Sequence, residues 1–242
     1  MKFCVAQTRP LRGDIQKNMD EHIRFIDTAV AYQADLIIFP ELSLTGYEPT
    51  LANALATNQA DGKFDIFQNI SNKHALTIGV GVPTKSDADV FISLILFQPY
   101  KKRQTYSKKY LHIDEKAYFK SGQNFPILKL SAFNIALAIC FEISVPAHVE
   151  TAVKNGVDIY IASVAKSESG VEQAAARLSD IAKKHAIPVM LSNCVGQSDD
   201  FVSAGKSSVW NHNGMLLAQL DDVHEGIIIY DVVTQEHLAK TI

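Results

Sequence analysis

Short apolar runs, each bounded by Gly, Pro, Asn or Asp, recur along the whole chain, and this pattern most limits the folds open to it. Such runs read as strands. They fall near residues 2–7, 36–39, 76–82, 91–98, 103–106, 127–130, 135–139, 159–163, 188–193, 207–210, 216–220 and 227–230. Four stretches between them have helical spacing instead. Met19, Ile23, Ile26 and Val30 make one apolar face. Residues 64–74 turn Phe67 and Ile70 inward, and residues 172–185 do the same with Ala174, Leu178 and Ile181. The remaining helix starts at Pro146, a favourable first-turn residue, and stops at Asn155-Gly156. Strands and helices thus alternate in each half, and further strands follow each alternation. That order describes an α/β chain with helices covering sheets. No Ser- or Pro-rich linker divides it, so residues 1–242 are expected to form one domain.

In α/β sheets, chemistry gathers outside the carboxyl ends of the strands. Three reactive side chains stand at such ends. Glu41 follows run 36–39 with only Pro40 between, Lys108 follows run 103–106, and Cys140 follows run 135–139. One sheet region can present all three, and a carboxylate, an ammonium and a thiol can then work as one site. Glu41 would be the base, Cys140 the nucleophile and Lys108 the cation under a developing oxyanion. Taken singly, each has a plainer reading. Cys140 would be a packed strand-end residue, and Glu41 the cap of a helix or turn.

The neighbours shift that balance. FPELSLTGYEP (39–49), YSKKYLH (106–112) and AICFEISVP (138–146) resemble the three signature blocks of the nitrilase superfamily of carbon–nitrogen hydrolases, in that family's order. The resemblance implies a four-layer α-β-β-α sandwich with two stacked mixed β-sheets. It also implies a catalytic triad of Glu41, Lys108 and Cys140 that works without cofactor or metal. The family pattern Tyr-x-Lys-x-x-Leu is matched by Tyr106, Lys108 and Leu111, which favours Lys108 over Lys109. The backbone N–H of Phe141 would join Lys108 as an oxyanion donor. A second carboxylate is implied shortly after the lysine: Glu115, with Asp114 as the competing choice. Glu142 is implied to be acidic and mainly structural. Ser144 stands where many members carry arginine, which weighs against the carboxylate-bearing substrates of the arginine-containing branches. Arg177, His185, Asn193 and Gly196 resemble a segment that ends near the active site, and Arg177 is a candidate partner for Glu142.

Other function classes lose ground on composition. The net charge is −3, from 23 basic and 26 acidic residues, which argues against a general nucleic-acid binder. The basic clusters Lys101-Lys102-Arg103 and Lys183-Lys184 are short and read as solvated. Three cysteines without a CxxC pair leave no disulfide framework or zinc knuckle, and Cys4 and Cys194 read as core residues. No histidines pair at metal-ligand spacing, so no metal is expected. Lys206 lacks the glycine spacing of a phosphate-binding loop. The apolar runs are too short to span a bilayer, and the first residues lack the apolar core of a signal peptide. A cytoplasmic protein with no membrane partner is expected. The tail 230–242 alternates around Val232, Val233, Leu238 and Ile242, which suggests packing. Because members of the resembled family commonly pair, a homodimer is expected.

The function implied is hydrolysis of a small non-peptide amide through an acyl-thioester on cysteine. The same triad would also serve a nitrile hydrolase or an amine-accepting acyltransferase. The alternative outside enzymes is a non-catalytic binding protein of the same fold, which the intact Glu-Lys-Cys set disfavours.

Overall fold

The computed structural model describes residues 1–123 and 127–242. In chain order its strands are β1 (Lys2–Gln7), β2 (Leu36–Ile38), β3 (Thr77–Ser86), β4 (Asp89–Phe97), β5 (Gln104–Ser107), β6 (Ile127–Leu130), β7 (Phe133–Ile139) and β8 (Ile159–Ser163). Then follow β9 (Val189–Ser192), β10 (Val195–Ser198), β11 (Phe201–Ala204), β12 (Ser208–Trp210), β13 (Leu216–Gln219), β14 (Gly226–Asp231) and β15 (His237–Thr241). The helices are α1 (Ile15–Ala31), α2 (Ala52–Leu55), α3 (Asp65–His74), α4 (Pro146–Lys154) and α5 (Glu168–His185).

A seven-stranded sheet has the order β15-β14-β1-β2-β3-β4-β5, and a six-stranded sheet the order β13-β12-β9-β8-β7-β6. The centres are parallel, β1-β2-β3 in one and β7-β8-β9 in the other, with antiparallel strands outside them. Period-two alternation sorts the side chains into layers. Phe3, Val5, Leu36 and Ile38 of the first sheet meet Ile135, Leu137, Ile159 and Ile161 of the second in a core between the sheets. On the outer face of the first sheet, Cys4, Ala6, Ile37, Ile78 and Val80 pack against α1 and α3 through Phe25, Ile26, Ala29 and Phe67. On the outer face of the second, Ala136, Ala138, Tyr160 and Ala162 pack against α4 and α5 through Val149, Ala152, Ala174 and Leu178. The result is a four-layer α-β-β-α sandwich. A strand covered on both faces must be apolar throughout, hence the continuous runs. Each large apolar side chain buried this way contributes roughly 1.5–3 kcal/mol.

Three strands lie outside the sequence-based expectation: β10, β11 and β15. β10 and β11 pair only with each other as a small hairpin, and their residues VGQS and FVSA carry little apolar periodicity. β15 is an edge strand paired to β14, with every residue exposed. The tail therefore packs through backbone pairing, with Val232 and Ile242 against the cores while Val233 stays exposed. α5 starts at Glu168, one turn before residue 172, because its first turn, Glu168-Ser169-Gly170, has no apolar face to signal it. In α1 the buried face holds Asn18 and His22 beside Met19, Phe25, Ile26 and Ala29, while Ile23 and Val30 sit at its margin.

Candidate active site

Glu41, Lys108 and Cys140 were expected to be presented by one sheet region; they come from two sheets. β2 and β5 of the first sheet lead to Glu41 and Lys108, and β7 of the second leads to Cys140. The stacking of the sheets makes the site. β5 is antiparallel to β4 and β4 to β3, so the ends of β2 and β5 share one edge. Hydroxyls from the second sheet fasten that edge. Ser163 Oγ donates to the Phe39 carbonyl at 2.8 Å, and Ser192 Oγ donates to the Ala6 carbonyl at 2.6 Å.

The loop carrying Glu41 lies directly against β3. Leu44 N–H donates to the Gly81 carbonyl at 3.0 Å, and a Cβ on Gly81 would fall 2.2 Å from the Pro40 carbonyl oxygen. Only glycine allows that approach. From α1, His22 buttresses the same loop. Its Nδ1–H donates to the Asn18 carbonyl at 2.6 Å, which leaves Nε2 to accept from Ser43 Oγ at 2.8 Å. The imidazole stacks on Phe39 with ring centres 4.0 Å apart. Burial holds its pKa down to about 3, so it stays neutral.

Lys108 is fully buried and has two carboxylate partners. Its Nζ donates to Glu41 Oε1 at 2.8 Å and to Glu115 Oε1 at 2.6 Å. Burial works to lower its pKa, but the charges of Glu41, Cys140 and Glu115 outweigh burial and hold it above the usual lysine range. Glu41 shifts upward: burial is the largest cause and Glu115 adds to it, against the pull of Lys108. Among the described residues, Glu41 Oε2 is buried without a hydrogen-bond partner. Glu115, also buried, accepts the Tyr47 hydroxyl at 3.0 Å on Oε1 and the His112 N–H at 2.7 Å on Oε2. Of the two acids weighed after the lysine, Glu115 is the one at Lys108. Asp114 is exposed and pairs with His112 Nδ1 at 3.1 Å. Lys109 is exposed as well.

Cys140 sits where β7 breaks into a 3-10 turn, Cys140–Ser144. Its φ is 45°, a left-handed conformation that costs a non-glycine residue energy and is typical of functional turns. Sγ lies 3.8 Å from the Ala165 carbonyl oxygen. Burial and then the Glu41 charge push the thiol up to about 11, opposed by Lys166 and Lys108. The thiol therefore keeps its proton at neutral pH. Phe141 follows at the start of the turn, where the first N–H groups have no partner within the turn.

Glu142 binds this turn to the loop carrying Lys108. It accepts the N–H groups of Ile139 at 2.8 Å, Lys109 at 2.7 Å and Tyr110 at 3.2 Å, and the Tyr106 hydroxyl. Burial works to raise its pKa, but His148, Tyr106 and the Ile139 N–H hold it below the usual carboxylate range. Its role is to position both loops. Arg177, the candidate partner for Glu142, instead donates to the Ser144 carbonyl at 3.3 Å from an exposed site on α5. Lys206 lies 3.6 Å from Glu168 and 3.7 Å from Glu172. Cys4 and Cys194 are buried and free. Sequence reasoning missed Tyr47, Lys166 and the His22–Ser43 contact. Tyr47 and Ser43 lay inside a quoted block and Lys166 follows a strand, but nothing in the sequence marked what these side chains touch.

Among the described residues, no group of three or more His, Cys, Asp or Glu side chains is placed to hold a metal ion. No helix among them is long and apolar enough to cross a membrane.

A protein of Schizosaccharomyces pombe described as a probable nitrilase is 25% identical over 95% of this chain and 87% of its own length. The glutamine-dependent NAD(+) synthetase of Thermotoga maritima is 27% identical over 98% of this chain; the chain spans only 43% of that relative. Among solved structures, the amidase of Nesterenkonia sp. AN1 superposes with a TM-score of 0.87 at 22% identity, over 96% of this chain and 92% of its own. One structure of that amidase shows acrylamide added to its active-site cysteine. The Carbon-nitrogen hydrolase profile matches residues 3–237, nearly the whole chain, and the chain therefore belongs to the carbon–nitrogen hydrolase family, within the nitrilase superfamily.

Proposed function

We propose that the chain hydrolyses a small non-peptide amide in two steps, with Cys140 carrying the acyl group between them. The observation that carries this reading is the division of labour around Lys108. Two of its three N–H donors are spent on Glu41 and Glu115, which leaves one to point at a substrate oxygen. The orphaned Glu41 Oε2 is a buried acceptor ready for a proton in transit. As Cys140 Sγ attacks the carbonyl carbon, Glu41 takes the thiol proton. The new oxyanion is held by Lys108 Nζ and the Phe141 N–H. The C–N bond then breaks and the amine leaves with the proton from Glu41. Water attacks the thioester, Glu41 takes its proton, and the thiol is restored with release of the acid.

The pH profile tests this assignment. Glu41 must be ionised to accept the proton, and burial raises its pKa. The acid limb of kcat/KM is therefore expected above the usual carboxylate range, with activity rising as pH rises through it. Burial and the Glu41 charge hold the Cys140 thiol up to about 11, so it stays protonated throughout the acid limb. Glu41→Gln should remove the acid limb together with the activity. A profile that falls steadily from about pH 6 to about pH 8 contradicts the assignment.

We also infer that the chain self-associates through α4 and α5. Ile143, Pro146, Val149 and Ile181 line a cavity of about 230 Å³ on that face together with charged side chains, Arg177 among them, and the turn carrying Cys140 leads into it. Light scattering at micromolar concentration should give about twice the 26.7 kDa of one chain. A monomer with full activity under those conditions would end this part of the reading.

A further inference from the structure

Lys166 has no part in the triad, yet it is placed as firmly as the triad residues are. It follows β8, the strand beside β7, and the preceding residue supplies the carbonyl that lies 3.8 Å from Cys140 Sγ. Its own backbone is clamped on both sides. Its N–H donates to Asn193 Oδ1 at 2.9 Å, and its carbonyl accepts Asn193 Nδ2 at 3.2 Å and the Ala204 N–H at 2.9 Å. Asn193 is itself buried and tied to the Gly205 carbonyl at 2.7 Å.

The side chain contrasts with this. Lys166 is half-buried, and among the described residues its ammonium has no ion pair or hydrogen bond. The buried Lys108 is matched by Glu41 and Glu115, and the exposed Lys109 lies over the Tyr110 ring, 5.7 Å from its centre. A half-buried lysine without a partner has its ammonium available to an anion that arrives with a ligand. The charge reaches the reacting atom, since Lys166 opposes the rise in the Cys140 thiol. The oxyanion does not need it, because Lys108 keeps a donor for that purpose. With both acids ionised, Glu41, Glu115 and Lys108 together carry one net negative charge, which repels an anionic substrate unless another cation stands nearby.

We propose that Lys166 is a substrate-binding residue that receives a carboxylate on the acyl part of the substrate, so that the preferred substrate is a small amide bearing a negative charge. The absence of arginine at Ser144 then does not exclude acidic substrates, because the cation comes from β8 instead. This proposal rests on Cys140 being the nucleophile of the hydrolase reading above.

Two alkylating reagents of similar size test it without any need for turnover. Iodoacetate carries a carboxylate and iodoacetamide is neutral. Their rates of reaction at Cys140, followed by peptide mass, give a ratio for the wild type, for Lys166→Met and for Lys166→Arg. A charge-assisted contact predicts that the iodoacetate-to-iodoacetamide ratio falls about tenfold or more in Lys166→Met and largely recovers in Lys166→Arg. The ratio of kcat/KM for succinamate over butyramide should fall in parallel. An unchanged ratio in Lys166→Met, or an equal slowing with both reagents, overturns the proposal. Should the alkylation ratio respond while neither amide is turned over, the anion site stands and the hydrolase reading fails.

Discussion

Turnover falls by on the order of 10⁴-fold or more when Cys140 is replaced by alanine, while the fold persists. Both halves of that expectation come from the local geometry. In the proposed reaction Sγ is the atom that bonds to substrate, and neither other cysteine offers a substitute: Cys4 and Cys194 are buried, and burial drives both thiols well above the usual cysteine range. The backbone at residue 140 is left-handed, and alanine bears that conformation about as well as cysteine does. Glu142 holds the turn through the N–H groups of Ile139, Lys109 and Tyr110, none of which involves the thiol. The loss of a small side chain should therefore change stability by only about 1 kcal/mol. Circular dichroism and a urea midpoint read the second half, and steady-state assay of a pure variant reads the first. Full activity in Cys140→Ala ends the triad reading.

Lys108→Met is expected to remove both activity and a large part of the stability. Methionine keeps the unbranched stem but takes away the charge between two buried carboxylates. Glu41 and Glu115 then share a dry site without a cation, which costs roughly 3–5 kcal/mol. That is a large fraction of the roughly 5–15 kcal/mol typical of a folded domain. The pH dependence has a definite sign. Like charges resist joint ionisation, so one carboxylate takes up a proton, and this relief grows as pH falls. The deficit relative to wild type should therefore shrink in acid and widen towards alkaline pH. Loss of an oxyanion donor alone lowers kcat by about 10²–10³-fold, and the altered ionisation of Glu41 adds to this. Urea unfolding at several pH values checks the stability claim. A variant as stable as wild type at every pH would mean that the buried ion pairs do not hold these loops together.

The three candidate residues were legible because each follows a strand: Glu41 and Cys140 close buried apolar runs, and Lys108 follows the more polar edge strand β5. Glu41, Lys108 and Cys140 announce themselves by position as well as by motif; the helical period marked α1, α3 and α5, end signals marked α4, and the four layers came from the family resemblance. The parts that stayed hidden depend on contacts between elements far apart in the chain. That two sheets share the site rests on hydroxyls such as Ser163 and Ser192 reaching across to carbonyls more than a hundred residues away. His22 carries no signal in the helical pattern of α1, because its partner Ser43 lies 21 residues further along the chain. Lys166 followed a strand as the triad residues do, but no motif singled it out. The β10–β11 hairpin escaped because it pairs with itself and needs no apolar face.

Rapid acid quench of the wild-type chain during turnover of a small amide, followed by intact and peptide mass, is the most direct measurement of the central claim. The predicted result is a gain equal to the acyl group, confined to the peptide that holds Cys140 and absent in Cys140→Ala. An adduct on Cys4 or Cys194, or undiminished turnover by Cys140→Ala with no adduct at all, would contradict it.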